Sequence, residues 1–310
     1  MNALPCLFIS WRRTDAIINN LPILRDCGIR DVYIFSDGIS LNSVVKREVQ
    51  LARSYLTALP SAYPDLLFYF NFAKHNLGCR YGVEAAIDWF FSRVDTGIII
   101  EDDICLTKAA IQYLQTYSDL LASNRMLFSV GAYTPYPIEQ CSQLPADGFK
   151  TPIFYCWGWM STRYSWLRYR GDQSFSLVNY LRYSSLPYSI CFYMLESLLL
   201  TKIREKDTWD ILVQDYIIRN QLYCIHPRSN YVKNIGYDDI KAAHGVQAVD
   251  PTPNVFPLAI SNSTQHPDFA DAPIKQLSST LYYGHGIIRL FIVVLRSLFN
   301  SCLRRFVANV

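Results

Sequence analysis

The stretch Gly97-Ile98-Ile99-Ile100-Glu101-Asp102-Asp103 constrains this chain more than any other. A short, uninterrupted apolar run rich in β-branched residues is the signature of a central strand covered on both faces. It runs directly into three acids, whose carboxylates repel one another unless a cation or several hydrogen-bond donors face them. In open α/β sheets, ligands sit beyond the carboxyl ends of the strands. A divalent cation, Mg²⁺ or Mn²⁺, held by one or two of these carboxylates together with substrate phosphate oxygens satisfies both conditions. The plainer alternative is a strand end whose acids are solvated and cap the next helix.

Around this stretch, strand and helix patterns alternate. Residues 5–10 read as a first strand, and a helix from Thr14 or Asp15 to about Cys27 is stopped by Gly28. Val32 to Phe35 is a second strand ending in Ser36-Asp37-Gly38. Residues 43–58 are helical, and Leu66 to Phe72 is a third strand. The segment His75 to Tyr81 is a loop entering a helix, whose Val83, Ala86, Ile87, Phe90 and Val94 form the stripe of a helix lying on a sheet. After the acidic strand come a helix near 107–122 and a strand from Met126 to Val130. This alternation predicts a mainly parallel sheet with right-handed crossovers, flanked by helices, with residues 1–135 as its nucleotide-binding half.

Residues 136–245 read as a second half of the same domain, which the resemblance given below implies would carry acceptor binding and catalysis. Residues 133–152 form a long Pro- and Gly-bearing loop, and Phe154 to Trp159 an aromatic strand or turn. Residues 173–205 are mostly helical, Thr208-Trp209-Asp210 opens a further helix through Arg219, and Tyr223 to Pro227 is a short strand. Residues 246–285 are an irregular wrap or linker. Residues 286–310 contain no acid and place Arg289, Arg296, Asn300 and Arg304 near one helical face. They suit a basic amphipathic helix lying on anionic lipid, or one packed on the body or a partner subunit.

With 310 residues, 51% of them hydrophobic, a sizeable core is available to one large or two fused domains. The formal net charge of +3 and the lack of a long basic block argue against nucleic acid as a partner. Aromatic residues make up 15%, which suits a cleft for bases or sugars, though tyrosine also fills ordinary cores. Nine scattered cysteines without a Cys-x-x-Cys pair read as free thiols in a reducing compartment. Residues 1–10 carry neither a basic leader nor a long apolar core. The expected location is cytoplasmic, peripheral on the inner face of the cytoplasmic membrane if the tail binds lipid.

At Glu101-Asp102-Asp103 the chain resembles the GT-A glycosyltransferases, whose acidic motif holds a metal and a nucleotide-sugar diphosphate. Five elements in order carry the resemblance to a bacterial group of sugar transferases. They are His75-Asn76-Leu77-Gly78-Cys79 with the helix containing Ala86-Ile87-Asp88-Trp89-Phe90-Phe91, the Ile-Ile-Ile-Glu-Asp-Asp run, Trp157-Gly158-Trp159, Thr208-Trp209-Asp210, and Asn234-Ile235-Gly236 with His244 downstream. The same order is similar, more distantly, to N-acetylglucosaminyltransferase I, an inverting enzyme that uses a UDP-sugar and Mn²⁺. The resemblance spans about residues 5–245.

What the resemblance implies is a GT-A fold, a nucleoside diphosphate-sugar donor of the UDP type, and a saccharide or lipid-linked acceptor, in surface polysaccharide assembly. Arg13 would face the nucleotide, Asp37 the base or ribose, and Arg80 and His75 the diphosphate. Asp103 would ligate Mn²⁺ or Mg²⁺, Asp102 would touch ribose or sugar, and Glu101 would orient the motif or reach the donor sugar. Asp210 matches the base that takes the acceptor proton, with Asp215 in reserve; Asp210 as a helix N-cap is the simpler alternative. Trp157 and Trp159 would stack on a sugar face or plug the core, and His244 would close over the metal. The motif is Glu-Asp-Asp and not Asp-x-Asp, which leaves open which acid touches the metal. A nucleotidyltransferase on the same platform, or a non-catalytic sugar-binding relative, are the competing readings. Ser10-Trp11-Arg12-Arg13-Thr14 lacks the glycine-rich loop usual in the former.

Overall fold

The computed structural model describes residues 4–40, 42–134, 147–172, 188–202 and 206–236. His244, the segment 246–285 and the basic tail 286–310 lie outside these residues. Among the described residues no helix is long and apolar enough to cross a membrane.

The architecture is α/β with a mostly parallel central sheet, as the alternating pattern predicts. Its strands are β1 (Cys6–Ser10), β2 (Asp31–Ser36), β3 (Leu67–Phe72), β4 (Thr96–Glu101), β6 (Leu127–Gly131), β7 (Gly148–Thr151), β8 (Trp159–Thr162) and β9 (Tyr223–Pro227). They run in the order β3-β2-β1-β4-β8-β6-β9-β7, while β5 (Ile104–Leu106) and β10 (Val232–Asn234) make a separate two-stranded ribbon. The first four strands of this order are mutually parallel. β8 then lies antiparallel to both β4 and β6, β9 is parallel to β6, and β7 closes the edge antiparallel to β9.

Strand alternation explains why the central runs are apolar throughout. Cys6, Phe8, Ile98 and Ile100 face one core, shared with α1 (Asp15–Asp26), α2 (Ser43–Ala62) and α4 (Lys108–Thr116). Leu7, Ile9 and Ile99 face the other, shared with α3 (Gly78–Phe91), α6 (Arg163–Gly171) and α8 (Asp210–Arg219). The chain leaves β1 towards β2 and β3 on one side and returns through α3, on the opposite face, to β4 on the other. The crevice between the carboxyl ends of β1 and β4 is therefore the topological switch point, where ligands of open α/β sheets bind.

Several boundaries differ from the sequence expectation. The helix expected over 107–122 is two, α4 and α5 (Ser118–Ser123), separated at Tyr117. Part of the expected loop 133–152 is strand β7, whose pairing with β9 no local pattern announces. The aromatic segment before Trp159 is irregular, and the strand begins at Trp159 itself. Of the helical stretch expected over 173–205, the described part is α7 (Tyr188–Lys202), packed on α8 through Cys191, Met194, Leu195, Leu198, Ile211 and Ile218. Gly38 follows β2 where a Cβ would run into the backbone carbonyl of His75, so only glycine lets the two loops meet.

β9 carries His226 into the interior, where it is fully buried. Its Nδ1 lies 2.9 Å from the carbonyl oxygen of Tyr133 and its Nε2 3.0 Å from that of Ile153. A neutral imidazole has one N–H and serves only one of them. Burial pushes its pKa down to about 4, outweighing the two carbonyls that favour the charged ring. A histidine whose folded pKa is depressed contributes stability that is lost as pH falls from the unfolded value of 6.5 through about 4. Thermal melts across this window are expected to show the wild type losing stability, and His226→Asn, weaker at neutral pH, lacking that step. Parallel curves for the two proteins would assign the acid sensitivity elsewhere.

Candidate active site

Three elements meet beyond the carboxyl end of β4: the loop after β1, the turn Asp102–Asp103, and the start of α8. Asp102 is buried and fully engaged within the chain. Its Oδ2 accepts from the backbone N–H of Trp11 at 2.9 Å, and its Oδ1 from Nε and Nη2 of Arg13 at 3.1 and 2.7 Å. Arg13 also reaches Asp103, with Nη2 3.4 Å from Oδ2. The structure thus brings Arg13, Asp102 and Asp103 together, with Arg13 clasping the acidic turn across the switch point.

Glu101 extends β4 level with Ile9 and, by alternation from Ile99, faces the layer of α3 and α8. Burial, then the charges of Asp103, Asp210 and Asp102, push its pKa well above the ordinary carboxylate value. Cys156 lies close enough to lend the carboxylate weak opposing hydrogen-bond support. Glu101 Oε1 is nevertheless buried without a hydrogen-bond partner among the described residues. The Asp103 carboxyl is raised too, by burial and by Asp102, with Arg13 working against the shift. The thiols of Cys79 and Cys156 are pushed up chiefly by burial and then by Glu101, Asp103 and Asp210. Residues from β4, α3, α8 and the loop before β8 therefore lie within electrostatic reach of one another, although Cys79 itself is exposed.

Asp210 opens α8, but no side-chain bond caps that helix. Its Oδ1 instead accepts from the Thr208 hydroxyl. Asp215 lies elsewhere: it is buried, and its Oδ2 receives Arg219 Nε at 2.8 Å, with Asp172 on the far side of the same guanidinium. The ion pair across one helical turn accounts for Asp215 without chemistry. Asn234-Ile235-Gly236 docks on the acidic turn, the Ile235 N–H donating to the Asp103 carbonyl at 2.8 Å. A Cβ on Gly236 would sit 2.6 Å from Asp103 Oδ2.

The loop after β3 is fixed from two directions. Asp37 accepts from the N–H groups of Gly38 at 2.7 Å and Leu77 at 2.9 Å, and its pKa is raised because burial outweighs these bonds. His75 is exposed and bridges Ile39. Asp207 caps α3 from 128 positions away, accepting from the N–H of Cys79 at 2.7 Å. Arg80 lies over the ring of Tyr81 and reaches Glu84, with Nε 3.5 Å from Oε1. Glu84 is buried and also receives Tyr169 and Arg170, and Arg170 continues to Asp88, so α3 and α6 are locked together. Asp207, Cys156 and Arg170 have no local sequence signature. Only the nearness of Cys156 to the Trp157-Gly158-Trp159 motif hints at one.

Of the aromatic pair, Trp159 is corrected to a core residue. It is fully buried and stacked between Phe128 and Trp209, so no sugar can reach its faces. Trp157 is partly buried beside Tyr133, ring centroids 4.5 Å apart.

A Mg²⁺ or Mn²⁺ ion can be tested against these residues. No group of three or more His, Cys, Asp or Glu side chains among the described residues makes a protein cage for a metal. Ions of this kind in nucleotide sites take only one or two carboxylates and draw the rest from water and phosphate. The orphaned Glu101 oxygen and the raised Asp103 carboxyl fit such a partial set.

No protein-family model matches the sequence, and no characterised protein matches it. Among solved structures, the chain is similar to apo UDP-glucose pyrophosphorylase at 9% identity and TM-score 0.40, over 75% of this chain and 93% of that one. It is also similar to a mannosyltransferase from Pyrobaculum calidifontis in complex with GDP-Man and Mn²⁺, at 11% identity and TM-score 0.36, over 70% of each chain. Likenesses this loose carry no argument about chemistry. Nothing in them supports the distant similarity to N-acetylglucosaminyltransferase I.

The raised Glu101 carboxyl has a signed consequence. The unfolded chain gives up this proton at ordinary carboxylate pH while the folded chain retains it, so stability falls as pH rises through the gap. Glu101→Gln removes the charge and is expected to melt higher than wild type at neutral pH, the difference vanishing below about pH 4. A melting-temperature difference that does not change with pH would show that Glu101 is not under this repulsion.

Proposed function

We propose that the protein is a GT-A-type glycosyltransferase that moves a sugar from a nucleoside diphosphate donor, UDP-linked, to a saccharide or lipid-linked acceptor with inversion. The observation that carries this reading is the convergence of Glu101, Asp103 and Asp210, from two distant segments, in one enclosure at the switch point. Asp103 and Glu101 would hold Mg²⁺ or Mn²⁺, which supplies positive charge against the departing diphosphate. Arg13 steadies Asp103, and Arg80, at the first turn of α3, would add charge on the phosphate side. Asp210 would take the proton of the acceptor hydroxyl as that oxygen attacks the anomeric carbon, its orientation set by Thr208. Its freedom from capping α8 favours this role over the structural one. Membrane-surface assembly of polysaccharide would follow if the tail binds lipid.

Calorimetric titration of UDP with and without Mn²⁺ tests the donor site. Binding is expected to need the metal and to vanish in Asp103→Ala. With a UDP-sugar and acceptor in hand, Asp210→Asn is expected to lower kcat roughly a hundredfold or more while KM for the donor changes little. A folded wild type that binds no nucleotide with any metal would overturn the proposal. Release of pyrophosphate from a nucleoside triphosphate and a sugar phosphate would replace it with nucleotidyl transfer.

A further inference from the structure

The two edges of the central sheet are protected unequally. β7, at one edge, has four residues and carries Lys150, the short and charged form that keeps an edge from pairing with another chain. β3, at the other edge, has six residues and pairs with β2 alone among the described residues. From Leu66 to Ala73 the sequence has neither a charge nor a proline. Leu67 and Tyr69 are 57% and 39% exposed, and Phe68, Phe70 and Phe72 are only partly buried.

The ladder fixes which backbone groups of β3 face outward. The Leu67 N–H donates to the Arg30 carbonyl at 2.8 Å and the Ala73 N–H to the Ser36 carbonyl at 2.9 Å. Successive residues of a strand direct their backbone groups to opposite sides. The odd-numbered residues therefore bond to β2, and Phe68, Phe70 and Phe72 turn their N–H and C=O groups to the edge. This set is symmetric about Phe70. A second copy laid antiparallel, with the two-fold axis at Phe70, pairs Phe70 with Phe70 and Phe68 with Phe72, and each pair exchanges both hydrogen bonds. The same register extends a row of rings on one face of the sheet, whose centroids are 6.0 and 5.7 Å apart within one chain.

The flanking charges agree with this register. Exposed Asp65 precedes the strand, and exposed Lys74 and His75 follow it. Antiparallel pairing brings Asp65 of each copy to Lys74 and His75 of the other, twice by symmetry, whereas a parallel arrangement would set like charges together. Within the chain Asp65 meets Arg30 at 3.3 Å, in an exposed pair that leaves it open to a second cation.

We propose that β3 is the interface of a homodimer, in which two copies join edge to edge and their sheets become one. The interface lies at the opposite end of the first four strands from β4, so it leaves the crevice between β1 and β4 open in both copies.

Sedimentation velocity of the full chain across a range of micromolar concentrations tests this. The wild type is expected to pass from monomer to dimer. Asp65→Lys, which sets Lys against Lys74 and His75 twice, is expected to weaken the dimer about tenfold or more. Adding Lys74→Asp to that variant restores opposite charges and should recover most of the affinity, although the contact with Arg30 stays lost. Phe70→Lys sets two like charges on the axis and should give a monomer, its melting temperature checking that it folds. A dimer that Asp65→Lys leaves intact would overturn the proposal, as would failure of the added Lys74→Asp to recover affinity in a folded protein. A wild type that stays monomeric at every concentration would also overturn it and leave the edge to a strand from a different protein.

Discussion

The arrangement of the site depends on one buried carboxylate. Asp102 takes a backbone N–H from Trp11 and two guanidinium donors from Arg13, and so fastens the loop after β1 to the turn after β4. Its side chain is only 10% exposed and that of Arg13 18%, so neither charge can fall back on bulk water. Removing one partner of a buried pair typically costs about 3–5 kcal/mol because the other is left uncompensated. The pairing commits three acceptor sites of Asp102 within the chain and leaves its neighbours to face the crevice. Glu101 is directed to the face of α3 and α8, and Asp103 to the Arg13 side of the crevice.

Those neighbours are held against their own electrostatics. Glu101 and Asp103 are both half-buried and both pushed towards the protonated form. Arg13 and a backbone N–H oppose this for Asp103, and the Cys156 thiol does so for Glu101. A protein selected for stability alone would replace such groups. Their presence beside Asp210, with a Glu101 oxygen lacking a hydrogen-bond partner among the described residues, is not what stability alone would select.

Much of this was legible from residues alone where the signal was local and periodic. The strands β1 to β4 and the helix stripe of α3 followed from apolar runs and helical spacing. The acidic turn was recognisable because three adjacent charges have few bland explanations. What was not legible depended on partners far away in the chain. Nothing at Asp207 says that it caps α3, nothing at Asp215 that Arg219 neutralises it, and nothing at Trp159 that Phe128 and Trp209 enclose it. The β7 strand was hidden because its short segment acquires its identity only by pairing with β9.

The position of β8 bears on how such a chain can come apart or be built. β6 precedes β8 in sequence, yet β8 lies between it and β4, and the ladder partners of β6 are β8 and β9 alone. A nascent chain that has emerged only to residue 135 carries β6 with no strand beside it. Pairing of β8 with β4 spans about sixty residues of sequence, the kind of non-local contact that slows folding. It also means that the segments before and after residue 135 cannot be exchanged as separate cassettes. A recombination joint near residue 135 would orphan a central strand, whereas joints in the loops outside the sheet would preserve the ladder.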